Sequence, residues 1–286
     1  MRPSFSKLKQ PFIVAVAAEP EPEANIAVIK TATFEGADAF DLHLMALDRQ
    51  YHNKGDLRKI ISSTSKPVMT LFYRWNMKGM VNIPDEERVR TQLDALDVGS
   101  AGFDITADIF DPTPGPDSWT PEARAYSMDR NAAPREVSYR PEAVKKQMKL
   151  IEQAHSMGGE VLLSAHTRVV LNTEKSIAIA KELESRGADM IKIVSVCLNQ
   201  EDLLEAFRTI VELKKTLKVP FQFQCHGEHG KLTRLVGPML GSMLVFCNQY
   251  YRAGGFHHQP LVRGMKSILQ WADWEVTKTP EEEMFI

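Results

Sequence analysis

Glu160-Val-Leu-Leu-Ser-Ala-His166 and Met190-Ile-Lys192-Ile-Val-Ser195 are two short apolar runs, and between them Thr173 to Arg186 has the spacing of an amphipathic helix. Runs this short and this nearly continuous in Val, Ile, Leu and Met read as strands covered on both faces. Strand, helix and strand then make one βαβ unit with parallel strands. Side chains help to fix its limits. Asn172 stands where an N-cap is needed, and Gly187 stands where the helix must turn back into a strand.

The same alternation extends outward in both directions. Further strand candidates are Phe12 to Ala17, Ala39 to Leu44, Pro67 to Tyr73, Gly102 to Ala107, Pro220 to Cys225 and Ser242 to Phe246. Helical patterns cover Asn25 to Glu35, Asp56 to Ser63, Glu86 to Leu96, Pro141 to Met157, Gln200 to Leu217, Leu232 to Pro238 and Leu261 to Ala272. Gly36-Ala-Asp38 repeats the turn seen at Gly187-Ala-Asp189, and Asn199 offers a second cap. Eight strands alternating with helices over 286 residues predict an α/β fold, a single (β/α)8 TIM barrel spanning 1–286. One segment breaks the rhythm. Residues 111–140 carry Pro112, Pro114, Pro116, Pro121 and Pro134 among aromatic residues, which predicts a long insertion after strand 4 with little regular structure, acting as a lid or an interface arm.

Composition narrows the function classes. With 35 basic and 37 acidic residues, charge is balanced and gives no footprint for nucleic acid or an anionic membrane. No apolar run approaches the length of a membrane span. Three separated cysteines form no CxxC pair, which fits small core residues in a reducing, cytoplasmic setting. Arg2, Lys7 and Lys9 before Phe12-Ile-Val-Ala-Val-Ala-Ala18 imitate a secretory leader, but Pro11 interrupts it and the run reads as the first barrel strand.

In a barrel, reactive side chains stand at the carboxyl ends of strands. Those positions here hold Asp41, His43, Arg74, Asp108, His166, Lys192, Cys225 with His226, and Asn248. Lys192 lies inside an apolar strand, where burying a charged amine is costly. A neutral amine there is a nucleophile toward a carbonyl. His166 ends the neighbouring strand and is placed to move protons beside it. Arg74 and Arg234 offer planar forks for the carboxylate of an acidic substrate. Arg234 sits in the first turn of a helix, a poor position for a cation that binding would explain.

These positions together resemble the type I 3-dehydroquinate dehydratases, the Schiff-base class of that enzyme. The resemblance rests on Lys66-Pro67 leading to Phe72-Tyr-Arg74, Ser164-Ala-His166 and Gly187-Ala-Asp-Met-Ile-Lys192. It continues through Gly227-Glu-His-Gly230 into Leu232-Thr-Arg234-Leu, and then Gly241-Ser242. It implies that Lys192 forms an imine with the substrate ketone and that His166 takes the adjacent proton and helps expel a hydroxyl as water. Arg234 would hold the carboxylate, Arg74 would contact substrate, and Gln259 would close over the site. It also implies a small-molecule keto acid substrate, no cofactor beyond the covalent imine on lysine, no metal and a homodimer. The pathways implied are the shikimate route of aromatic amino acid biosynthesis or quinate metabolism.

The sequence departs from the family pattern at several points. Asp41-Leu-His43 replaces a Glu-x-Arg pair that contacts substrate hydroxyls, and Asp104-Ile-Thr106 replaces an Asp-x-Glu pair. Lys78 stands where the family keeps the glutamate that orients its histidine. The resemblance therefore implies a divergent member, acting on 3-dehydroquinate or a related hydroxylated cyclic keto acid, with Asp41, His43 and Lys78 among its substrate contacts. Two alternatives stay open at this point. One is a metal-dependent TIM-barrel lyase or aldolase using Asp41, His43, Asp108, His166 and His226-Gly-Glu228-His229. The other is a non-catalytic, dehydroquinase-like sensor of such acids.

Overall fold

In a computed structural model describing residues 2–76, 79–113, 120–252 and 256–271, the predicted alternation closes into a barrel. The strands are β1 (Phe12–Ala17), β2 (Ala39–His43), β3 (Val68–Leu71), β4 (Gly102–Thr106), β5 (Glu160–His166), β6 (Met190–Val196), β7 (Phe221–His226) and β8 (Leu244–Cys247). From β1 to β7 each pairs in parallel with the next, and β1 pairs with β8. Between β7 and β8 no ladder forms, but the Met243 amide donates to the Phe221 carbonyl at 2.7 Å and draws the edges together. The helices are α1 (Pro22–Glu35), α2 (Lys54–Ile61), α3 (Asp85–Asp97), α4 (Pro141–Ser156), α5 (Thr173–Ser185), α6 (Gln200–Thr216), α7 (Lys231–Leu240) and α8 (Val262–Trp271). A small antiparallel ribbon, Trp75–Asn76 with Gly79–Met80, follows β3.

Local chemistry set the element limits as read. The Asn172 and Asn199 side chains accept the amides of Lys175 and Asp202 at the starts of α5 and α6. Gly36 and Gly187 take φ of 102° and 89° at the two repeated turns, a left-handed conformation that a side chain would strain.

The pleat then divides each strand between two environments. Val161, Leu163 and Ala165 of β5, Ile191 and Ile193 of β6, and Phe221 and Phe223 of β7 face the helices in one continuous apolar cluster. Their neighbours point into the barrel. At its amino-terminal end these inward residues are apolar: Phe12, Met69, Leu162, Met190 and Leu244 pack with Phe5 from the chain ahead of β1. Glu160 fastens that leading segment by accepting the Phe5 amide at 2.6 Å and the Ser6 amide at 3.0 Å. The Phe12–Ala17 run is thus a buried barrel strand. Toward the carboxyl ends the inward residues become polar: Asp41, Asp104, Ser164, Lys192, Gln222 and Gln224 are all buried. That change of character along the axis positions the site.

The insertion after β4 is more structured than its proline content predicts. Pro121–Met128 forms a helix, with Thr120 capping the Ala123 amide, because Pro121 occupies the first helical position, where its missing N–H costs nothing. Arg130 then reaches Asp202 with both terminal nitrogens, at 2.9 and 3.1 Å. The returning chain lies back on the barrel: Val137 bridges Ala107, the Arg135 amide donates to Thr167, and the Ser138 amide donates to Ala107. Behind it the buried Arg186 donates to the carbonyls of Ala107 and Ser138 and to the Gln147 side chain. A guanidinium spent on so many carbonyls fixes residues 135–138 against the sheet.

Candidate active site

A cavity of about 690 Å³ opens at the carboxyl ends of the strands, lined among others by His166, Lys192 and Arg234. Lys192 and Ser164 are register partners in β6 and β5, so Lys192 and His166 project from adjacent strands on the same, inward face. Lys192 is 4% exposed, and its Nζ donates to Asp104 Oδ2 at 2.6 Å and lies 5.0 Å from the Phe246 ring centre. Asp104 is buried and takes the Ser164 hydroxyl on its other oxygen at 2.5 Å. The sequence showed only apolar neighbours around this amine, and the fold adds a carboxylate beneath it. The amine is seated on a carboxylate, so the proton it gives up to become a nucleophile has a neighbouring oxygen to receive it.

His166 is oriented from an unexpected direction. Its Nδ1 lies 2.9 Å from Oε2 of Glu136, a residue of the returning insertion that is buried and holds φ of 55°. A carboxylate accepts, so Nδ1 carries the ring proton and Nε2 is left to act as base. Burial lowers the His166 pKa against the opposing pull of Glu136, with the Lys192 and Arg168 charges adding to the lowering, which keeps the imidazole neutral. Burial would raise the Glu136 pKa, but the His166 hydrogen bond and the nearby positive charges overturn it and hold the carboxyl at about 2. Tyr73 donates its hydroxyl to Glu136 Oε1, and Arg168 donates to the Tyr73 oxygen at 2.9 Å. The expectation that the histidine-orienting glutamate is lost is therefore overturned: the carboxylate comes from the insertion. Sequence reasoning missed Glu136 because a loop residue carries no periodicity. Its one signal was an acid placed between Pro134 and Tyr139, just ahead of α4.

Arg234 is 2% exposed in the first turn of α7. Its Nη1 donates to Gln224 Oε1 at 2.5 Å, while Nε and Nη2 are buried with no acceptor among the described residues. Burial pulls this guanidinium down to about 10. Two unspent donors on a buried cation at a cavity wall suit an incoming carboxylate.

The other expected positions divide. Asp41, His43 and Gln259 line the cavity, with His43 Nε2 3.0 Å from Asp41 Oδ2. Arg74 does not line it: its side chain turns to Asp108, at 3.1 Å, and Tyr73 and Arg168 stand in the wall instead. The pull on Arg74 is electrostatic, because Asp108 is a buried carboxyl that burial and Glu136 raise to about 6 even with Arg74 beside it. Lys78 lies outside the described residues. For the metal alternative, no group of three His, Cys, Asp or Glu side chains converges as a ligand set among the described residues. Asp41 and His43 pair with each other, His166 with Glu136, and Asp108 with Arg74. The three cysteines are buried as core residues.

A buried lysine beside a neutral, carboxylate-oriented imidazole in the mouth of a (β/α)8 barrel is the equipment of an imine-forming lyase. Known proteins carry the identification further. Residues 136–272 match the model of the type I 3-dehydroquinase family, beginning at the glutamate that holds His166. A 3-dehydroquinate dehydratase of Methanosarcina acetivorans is 24% identical over 269 residues, 93% of this chain and 96% of that protein. The 3-dehydroquinate dehydratase of Geobacillus kaustophilus shares the fold at a TM-score of 0.71 and 14% identity, over 92% of this chain and 91% of the other. The type I enzyme of Clostridium difficile, solved with covalently modified comenic acid, does so at 0.71 and 15%, over 92% and 93%. These likenesses, with the matched segment just under half of the chain, point to the type I 3-dehydroquinases.

Proposed function

We propose that this enzyme removes water from 3-dehydroquinate or a related hydroxylated cyclic keto acid, with Lys192 as the imine-forming residue and His166 as its acid and base. The observation that carries the reading is the convergence on one cavity of the Lys192 amine, the His166 imidazole and the two unpaired N–H groups of Arg234. In the proposed sequence the Lys192 amine, its proton passed to Asp104, attacks the ketone carbon. Loss of that oxygen as water gives an iminium. His166 Nε2 then takes the proton from the adjacent carbon, the electron pair runs into the iminium, and the resulting enamine expels the β-hydroxyl, which leaves as water with the proton His166 returns. Hydrolysis of the conjugated imine frees the product and the lysine. Arg234 takes the carboxylate through Nε and Nη2, Asp41 offers its unpaired Oδ1 to a hydroxyl, His43 positions Asp41, and Gln259 closes the mouth. Lys78 is proposed as a further substrate contact, and Arg74 acts through Asp108 instead of touching substrate.

The reading extends to a homodimer in the cytoplasm serving aromatic biosynthesis or quinate breakdown, without nucleic-acid or membrane partners. No helix among the described residues is long and apolar enough to cross a membrane. The test is turnover of 3-dehydroquinate, followed by the ultraviolet absorbance of the conjugated product, together with borohydride trapping. The expected result is turnover that Lys192→Ala abolishes and a reduced adduct located on Lys192. An adduct on another residue, or turnover that survives Lys192→Ala, would sink the reading. A sensor, the non-catalytic alternative, would bind the acid and leave it intact.

A further inference from the structure

Gln222, Gln224 and His226 of β7 point into the barrel, because Phe221, Phe223 and Cys225 between them face the helices. In the ladder Lys192 pairs with Gln222, Val194 with both His166 and Gln224, and Val196 with His226. At about 3.3 Å per residue, His166 stands roughly 7 Å beyond Lys192 along the strands, and His226 roughly 13 Å beyond. That order is the order of the chemistry. The ketone carbon is bonded at Lys192, the adjacent carbon gives its proton to His166, and the carbon that loses the hydroxyl comes next. Below Lys192 the barrel is filled by Phe12, Leu162 and Met190, so a ring bonded there extends toward the mouth. In 3-dehydroquinate the carbon that loses the hydroxyl also bears the carboxylate, which sends that group outward, toward His226.

The two glutamines are spent on each other and on Arg234: Gln224 Oε1 accepts from Gln222 Nε2 at 2.8 Å and from Arg234 Nη1. His226 stands outside this chain. It is half-buried and lines the cavity, its ring hydrogen-bonds to no described residue, and its nitrogens are not sealed from solvent. The imidazole is edge-on to Phe256, with ring centres 5.7 Å apart, and the Arg234 guanidinium lies 5.4 Å from the centre of the same phenyl ring. Both groups therefore pack on one side chain of the cavity wall. Burial, followed by the charges of Arg234, Arg168, His166 and His258, holds the His226 pKa well below its usual value. The ring is neutral, with one N–H to give. Half-desolvated without a partner, that N–H costs free energy that an anion at Arg234 removes.

We infer that His226 donates a ring N–H to the substrate carboxylate alongside Arg234. A carboxylate has about four lone-pair sites on its two oxygens, so the two donors of Arg234 leave room for another. This rests on the reaction proposed above and adds a residue to its substrate site.

The test measures borohydride trapping on Lys192 by intact mass with two probes. One is 3-dehydroquinate, and the other is 3-hydroxycyclohexanone, which keeps the ketone and the β-hydroxyl but lacks the carboxylate. His226→Phe, which keeps a ring against Phe256 without its nitrogens, and His226→Leu are both expected to raise the half-saturating concentration of 3-dehydroquinate about tenfold. In the same variants 3-hydroxycyclohexanone should shift less than about twofold, having no group for the lost donor. His226→Gln, which restores an N–H, is expected to bring 3-dehydroquinate back to within about threefold of wild type. An unchanged half-saturation for 3-dehydroquinate in the apolar variants, or an equal shift for the two probes, overturns the inference. Either result leaves the Lys192 chemistry standing, whereas a wild-type protein that forms no adduct with 3-dehydroquinate removes the reaction and the inference together.

Discussion

Replacing Glu136 with Gln tests how much of the catalysis depends on a carboxylate delivered by the insertion. Gln can still accept from His166 Nδ1 in the same volume, but the negative charge is gone. The bond is 2.9 Å long and buried, and Glu136, held at about 2, is ionised throughout any practical assay range. A hydrogen bond to a charged partner contributes about 1.5–3 kcal/mol. At about 1.4 kcal/mol per tenfold in rate, losing that stabilisation of the imidazolium predicts a fall in kcat/KM of about 10- to 150-fold. The sign on the pH profile follows separately. Burial lowers the His166 pKa and Glu136 opposes that lowering. Without the charge the pKa drops further, so the acidic limb of kcat/KM for 3-dehydroquinate moves to lower pH. Initial rates by product absorbance between about pH 5 and 9 read both effects. A Glu136→Gln enzyme within twofold of wild type and with its acidic limb unmoved would refute the argument. A purely structural role would lower the amount of folded enzyme and leave that limb where it was.

Three further outcomes are expected. Arg234→Met should raise the KM for the keto acid about 30-fold or more, from loss of a buried charge pair with the carboxylate. It should leave Tm level or higher, because a buried cation with two unpaired donors is removed, and an unchanged KM would count against the carboxylate assignment. Asp104→Asn keeps an acceptor for Ser164 but removes the charge beneath Lys192, so the borohydride trapping rate should fall about tenfold, as expected for loss of a charge-assisted hydrogen bond of about 1.5 kcal/mol or more. Unaltered trapping would mean that the amine finds another route for its proton. Asp108 has a folded-state pKa of about 6, above the usual 3.8, so the native state holds its proton more tightly and this group's contribution to stability declines as pH rises from about 4 to about 6. Denaturant titrations should find that decline, up to about 3 kcal/mol, flattened in Asp108→Asn, and an identical slope in the two proteins would exclude Asp108 as its source.

The barrel was legible because a strand covered on both faces must be nearly continuous in apolar residues, and a polar residue in such a run is conspicuous. Lys192 and His166 were found that way, Arg234 from its place in the helix turn after β7, and all three line the cavity. Asp104 was visible only as half of a replaced motif. That it lies under Lys192 depends on β4 and β6 flanking β5 with their inward residues on one level, a relation that no local spacing encodes. Arg74 was read as a substrate contact from its place after β3, but a side chain that long turns toward the nearest buried carboxyl, here Asp108. Glu136 and Arg168 were not found. Both take positive φ outside regular elements, at 55° and 62°, where neither period nor propensity leaves a trace.

The Phe5 plug has a bearing on how the reaction must be timed. With Phe5, Phe12, Met190 and Met243 packed at the amino-terminal end of the barrel, reagents and products use the opening at the carboxyl ends of the strands. Two molecules of water are formed in the proposed cycle and one is consumed in freeing the lysine, so a net one must leave through the opening by which the acid came in. The proposed closure by Gln259 would shelter the chemistry and would have to relax before turnover is complete, which makes reopening a natural candidate for the slowest step.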